Sequence, residues 1–224
     1  MDITLINYME EQLRLTPTEF KRYKYRELPW EARLVGLMGP RGVGKSTMVL
    51  QHIKEQDEET RRRSIYVSAD HSYFLTHTLE ETADCFVREG GVWMYIDEVH
   101  KYDKWSIELK QIYDSHPELH VFFTGSSILD IMEGEADLSR RVLLFDMQGL
   151  SFREYLEMFL GIVTPVRSLD DIIKGDVQIE GLLHPLPLFK QYLCEGYYPF
   201  SKEGYFRQRL QQVVRQTMEV DIPN

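Results

Sequence analysis

The chain has 224 residues, of which 43% are apolar and 28% charged, and its formal net charge is −10. That balance suits one large domain, or one domain with a small appendage, and it excludes the disordered and low-complexity classes. The acidity argues against a surface built around nucleic-acid phosphates, while leaving room for a local patch, and no apolar run is long enough to span a bilayer. Two cysteines, Cys85 and Cys194, make neither a disulfide framework nor a zinc site by themselves. With no secretory signal in view, the reducing cytoplasm is the expected location.

In chain order, residues 2–28 read as helical, with apolar Ile3, Ile6, Leu13 and Leu15. Inside that stretch Thr16-Pro17-Thr18-Glu19 matches a helix start, with Thr16 as N-cap, Pro17 in the first turn and Glu19 closing a capping box. Pro29 ends the segment. Short apolar runs then alternate with amphipathic stretches: strands at Arg33–Met38, Ile65–Ser68, Val92–Ile96, Leu119–Phe123 and Val142–Phe145. Helices are expected through about Lys54, around Leu79–Val87 and over Trp105–Asp114. The dense basic run Arg61-Arg62-Arg63 follows Asp57-Glu58-Glu59 and reads better as a solvated helix end leading into a strand than as an anion contact.

This alternation predicts an α/β fold, with a mainly parallel five-stranded sheet sandwiched between helical layers. The strands are almost continuously apolar, as parallel strands covered on both faces are. After Gly149 the alternation stops, and Ser151–Gly161, Pro187–Cys194 and Ser201–Glu219 read as helices. The organisation expected is an N-terminal helical segment (1–29), a core (30–149) and a small helical appendage (150–224). The abrupt stop at Asp221-Ile222-Pro223-Asn224 suggests part of a longer protein.

Between the first strand and its helix lies Gly39-Pro40-Arg41-Gly42-Val43-Gly44-Lys45-Ser46-Thr47, which fits G-x-x-x-x-G-K-[ST] in the strand–loop–helix context that gives the pattern meaning. Glycines let the backbone wrap phosphates and aim successive N–H groups inward, and the helix start adds its positive dipole end. Lys45 is expected on the β- and γ-phosphates and Ser46 on Mg²⁺. A plain glycine turn without ligand is the bland alternative.

Val92-Trp93-Met94-Tyr95-Ile96 ends in Asp97-Glu98, two acids at the carboxyl edge of a buried strand, where open α/β sheets bind ligands. Asp97 is expected to hold Mg²⁺ and Glu98 to polarise the attacking water. A complete strand–helix unit, Ile65 through Val87, separates this pair from the glycine loop. In this the sequence resembles P-loop ATPases with an extra strand between the two motif-bearing strands, rather than simple nucleotide kinases, and the resemblance implies that the Leu119–Phe123 strand lies between them. Its end, Thr124-Gly125-Ser126-Ser127, would put a polar sensor beside the γ-phosphate, with Thr124 favoured over Ser126.

These stretches resemble a group of prokaryotic AAA+-type P-loop ATPases whose ATPase domain is usually followed by a C-terminal domain of unknown function. The resemblance covers about residues 30 to 200. It rests on Gly39 through Thr47, Asp97-Glu98-Val99-His100-Lys101 with Trp105, Thr124-Gly125-Ser126-Ser127, Arg140-Arg141-Val142 and Leu150-Ser151-Phe152-Arg153-Glu154-Tyr155, in family order. It implies ATP and Mg²⁺ as ligands, with Arg140 or Arg141 as an arginine finger, in cis or across a homo-oligomer interface, or as a sensor. Arg141, next to the Val142 strand, is the better match. The family's Gly-Gly-aromatic-Pro turn is replaced by Gly196-Tyr197-Tyr198-Pro199, which puts the backbone there in question.

His71, His77, His100, His116, His120 and His184 lack metal-ligand spacing, and His100, though near Glu98, reads first as a loop residue. The Phe152, Tyr155, Leu156, Phe159 stripe reads as packing. The expected function is an ATPase coupling Mg-ATP binding and hydrolysis to conformational change. The alternative is a nucleotide-dependent switch or interaction module with negligible hydrolysis alone. A small-molecule phosphotransferase is disfavoured, and no Asn-Lys-x-Asp element marks guanine.

Overall fold

The computed structural model describes residues 1–126, 138, 140–175 and 179–218. Ser127 and the terminal Asp221–Asn224, both singled out above, lie outside them. The first helix, α1 (Ile3–Leu15), is capped by Asp2, whose carboxylate accepts from the Thr4 amide at 2.7 Å. Leu5, Met9 and Leu13 form its buried stripe. Their burial against the sheet contributes about 5–8 kcal/mol of apolar transfer.

The strands are β1 (Leu34–Met38), β2 (Ser64–Ser68), β3 (Trp93–Asp97), β4 (His120–Gly125) and β5 (Leu143–Asp146). Among the described residues they form one sheet in the order β2-β3-β4-β1-β5, and every pairing is parallel. β4 therefore lies between β1 and β3, as the resemblance implies. The crossovers carry α2 (Lys45–Glu55), the short α3 (Glu58–Arg62), α4 (Leu79–Arg88) and α5 (Trp105–Ser115). β1 and β2 are buried along their whole length. Arg61 and Arg62 close α3 and Arg63 precedes β2, so the basic run is the expected helix end, solvent-facing.

The first correction concerns residues 16–28. Thr16 is not an N-cap but the C-cap of α1, its hydroxyl donating to the Gln12 carbonyl at 2.7 Å. The backbone then runs extended to a 3-10 turn at Tyr23–Glu27. The physical reason lies on α2. The Gln51 amide donates to the carbonyls of Pro17 and Phe20, both at 2.8 Å, and Lys54 Nζ donates to that of Thr16 at 2.9 Å. Carbonyls that would have accepted helical bonds are satisfied by tertiary partners.

After β5 come helices at Phe152–Leu160, Leu169–Lys174, Pro185–Glu195 and Phe206–Gln216. The second of these was not expected. It is capped by a Ser168/Asp171 box and by Gly175, but it has no buried residue and so little apolar periodicity to read. Ser151 and Glu154 form a reciprocal capping box on the first, which ends at left-handed Gly161.

Candidate active site

The glycine loop leaves β1 at the sheet's carboxyl edge. Gly42 (φ 77°) and Gly44 (φ 99°) are left-handed, and Gly44 is the N-cap of α2. Gly39 is needed for a second reason: a Cβ there would lie 2.0 Å from the carbonyl oxygen of Met147, whose amide donates to Met38 at 2.7 Å. Lys45 is buried, with Nζ donating to the carbonyls of Gly39 at 2.7 Å and Pro40 at 3.0 Å. A buried ammonium held inside a glycine-walled turn at a helix start fits a polyphosphate ligand.

Across the sheet edge, Asp97 closes β3 and is 6% exposed. It accepts from the Tyr66 hydroxyl at 2.7 Å and from the Thr124 hydroxyl. Thr124, on β4, is buried and also accepts from the Glu98 amide at 3.2 Å. One hydroxyl thus joins the acid at the end of β3 to the backbone of the next residue. Glu98 itself is left-handed (φ 55°), uncommon for a residue with a Cβ, and it caps the short 3-10 turn that follows β3. Burial, and then the charge of Asp97, push its carboxyl above the ordinary range, opposed by Lys45, Arg41 and Lys101.

His100 belongs to this site after all. Its side chain is nearly buried, with Nε2 3.3 Å from the Glu98 carboxylate and 2.8 Å from the Ser126 hydroxyl. The Ser126 amide donates to Nδ1 at 3.3 Å, which fixes the ring with Nε2 facing Glu98. Arg41 of the loop approaches the same nitrogen at 3.1 Å and the Glu98 carboxylate at 3.9 Å. Ser126, second choice as a sensor, is therefore occupied by His100, and Thr124 by Asp97.

The arginines fall elsewhere. Arg141 precedes β5 at the sheet's amino edge, where its guanidinium makes two 2.9 Å bonds to Asp114 at the end of α5. Arg140 is exposed beside it. The length of β5 separates both from the end of the sheet where the loop leaves β1.

Residues from outside the loop complete the surroundings. A cavity of about 200 Å³ opens beside the loop, lined by Val43 and Thr47 and by Phe20, Arg22, Met158 and Pro199 among others. The Gly196-Tyr197-Tyr198-Pro199 turn thus reaches the site, and the Phe200 ring lies so close to Gly42 that a Cβ there would meet it at 2.7 Å. Gly196 is right-handed, and the tyrosine replacing the family's second glycine is not left-handed either. That departure therefore costs no strain.

The family model described as an AAA domain matches residues 31–156, more than half of the chain and everything from β1 to the helix after β5. The chain belongs to that AAA family. No curated protein matches it. Among solved structures, yeast (S. cerevisiae) Hsp104 in complex with casein is similar at 18% identity and a TM-score of 0.51, over 93% of this chain and 40% of that one. The Walker-type ATPase paby2304 of Pyrococcus abyssi is similar at 12% identity and a TM-score of 0.50, over 91% and 75%. C. elegans PCH-2 is 17% identical with a TM-score of 0.48, and the chain spans 62% of its length. At these identities the likeness is one of fold: an AAA+ P-loop sheet with its helices. No helix among the described residues is long and apolar enough to cross a membrane.

Proposed function

We propose that this AAA-family chain binds Mg-ATP at Gly39–Thr47 and hydrolyses it, using the cycle to shift the helical appendage that rests on the loop. The observation that carries this reading is the joining of Asp97 and Glu98, at the end of β3, through Thr124 on β4, the strand beside the one that feeds the loop. The loop amides from Gly42 to Ser46 and the Lys45 ammonium would take the phosphates, and the apolar cavity beside Phe20 and Pro199 would take the base. Ser46 and Asp97 would hold Mg²⁺, which when bound neutralises phosphate charge.

Glu98 is the base that orients water. Burial, and then the charge of Asp97, raise its carboxyl above the ordinary range, which suits a proton acceptor. Arg141 acts in trans, reaching the loop of a neighbouring copy in a homo-oligomer. The test is phosphate release from Mg-ATP across a protein concentration series. Loss of turnover in Lys45→Ala and in Glu98→Gln, with ADP binding kept in the latter, supports the reading; undiminished turnover in Glu98→Gln refutes the base.

A second reading has its own observation. Glu98 is engaged by His100 at 3.3 Å and by Arg41 at 3.9 Å, an arrangement that draws the carboxylate away from water. The chain would then be a nucleotide-dependent switch, and His100→Ala would raise turnover from a low starting level.

A further inference from the structure

Arg22 is a buried guanidinium that the chemistry above does not use. It is 8% exposed, just before the Tyr23–Glu27 turn, and it lines the cavity beside the glycine loop. Nη1 donates to the Val43 carbonyl at 2.5 Å. Nη2 donates to the carbonyls of Gln148 at 2.7 Å and Gly149 at 2.9 Å, where the chain leaves β5. Nε donates to the Glu154 carboxylate at 2.8 Å. Glu154 is also buried, and it accepts from the amides of Tyr23 at 2.8 Å and Ser151 at 2.9 Å. Burial alone would raise its pKa, but the bond from Arg22, aided by these amides, brings it below the ordinary range, so the pair is ionic.

The bond to Val43 has a stereochemical consequence. A trans peptide is planar, and its C=O and N–H point in opposite directions. Holding the Val43 carbonyl on Arg22 therefore aims the Gly44 N–H the opposite way, away from Arg22. Gly44 is left-handed, a conformation that a glycine adopts without strain, so the Arg22 bond is a specific hold on this peptide. We infer that Arg22 is a positioning residue for phosphate binding: it holds the Val43–Gly44 peptide in its binding orientation, and Glu154 on the Phe152–Leu160 helix holds Arg22. The inference rests on the reading of Gly39–Thr47 as a phosphate site. It also gives the appendage a lever on the loop, since a movement of Glu154 withdraws the guanidinium from Val43.

The test uses the full chain labelled with ¹⁵N, with ADP as probe. Titration should move the Gly44 amide proton strongly downfield in the parent. Arg22→Lys keeps a charge for Glu154 but cannot span Glu154, Val43 and Gly149 together. It should bind ADP about tenfold or more weakly, as expected for losing a charge-assisted bond, with the Gly44 shift much reduced. Binding within twofold of the parent, with the same Gly44 shift, would overturn the inference.

If Arg22→Lys does not fold, the double variant Arg22→Met with Glu154→Gln carries the test, because it leaves no buried charge unpaired. Its affinity should stay low while its melting temperature approaches the parent's; recovery of both overturns the positioning role. If the parent shows no ADP binding and Lys45→Ala is no different, the phosphate-site reading falls first, and this inference with it.

Discussion

Thr124→Val probes the junction on which the candidate site depends. Valine has the shape of threonine, so the buried position keeps its volume and loses only the hydroxyl. Two bonds go at once: the one donated to the Asp97 carboxylate and the one accepted from the Glu98 amide at 3.2 Å. A hydrogen bond to a charged group contributes about 1.5–3 kcal/mol, and an orphaned buried amide costs about 1–3 kcal/mol. Asp97 retains Tyr66, which limits the first loss, so the expected cost is about 2–4 kcal/mol. For a chain of this size that lowers the melting temperature by about 10 °C. The assay is urea denaturation of the parent, Thr124→Val and Thr124→Ser, with Thr124→Ser, which keeps the hydroxyl, expected within about 1 kcal/mol of the parent. A Thr124→Val chain within about 0.5 kcal/mol of the parent at an unchanged denaturant slope would refute the bridge. The same variant should lose part of the gain in ADP affinity that Mg²⁺ confers, because Asp97 is then held by Tyr66 alone.

Three other outcomes follow from the geometry. His52 is stacked on Trp30 with ring centroids 3.9 Å apart, and burial, then the nearby Lys21 charge, lowers its pKa to about 4. The unfolded chain therefore takes up a proton below about pH 6.5 while the folded one stays neutral, so stability present above that pH is lost as pH falls toward 4. Between pH 7.5 and 5 this group should cost about 2 kcal/mol, a slope that denaturation of His52→Phe should lack. Gly39→Ala puts a Cβ 2.0 Å from a backbone oxygen that cannot yield, and should cost at least about 2 kcal/mol. Gly90→Ala, equally left-handed in sign but with nothing within 4 Å, should cost only about 1 kcal/mol in the same denaturation assay. Arg141→Ala breaks an exposed pair and should leave thermal melting nearly unchanged, yet abolish any rise of specific turnover with protein concentration; a retained rise would exclude the trans role.

The amino-acid sequence by itself determined the parts governed by local pattern. Continuous apolar runs announced parallel strands covered on both faces, and Gly39 to Thr47 required a strand before them and a helix after. These are consequences of backbone stereochemistry. The strand-end acids and Thr124 were legible for the same reason, since a residue at the end of a parallel strand has only one edge to occupy. The place of β4 between β1 and β3 was legible through the resemblance to P-loop ATPases that carry a strand–helix unit before the strand-end acid.

What the tertiary structure decided is every feature whose partner is distant in sequence. Thr16-Pro17-Thr18-Glu19 has the letters of a helix start, yet Gln51 and Lys54 take its carbonyls. His100 reads as a loop residue until Ser126 and Glu98 converge on its ring. Arg141 matches a finger by position in the chain, but the direction of β5 puts it at the edge remote from its own loop. Arg22 gives no local signal at all, because its meaning depends on Val43, Gly149 and Glu154, up to 132 residues away. Hydrogen bonds of that kind are specified by packing in three dimensions, and no periodicity along the chain records them.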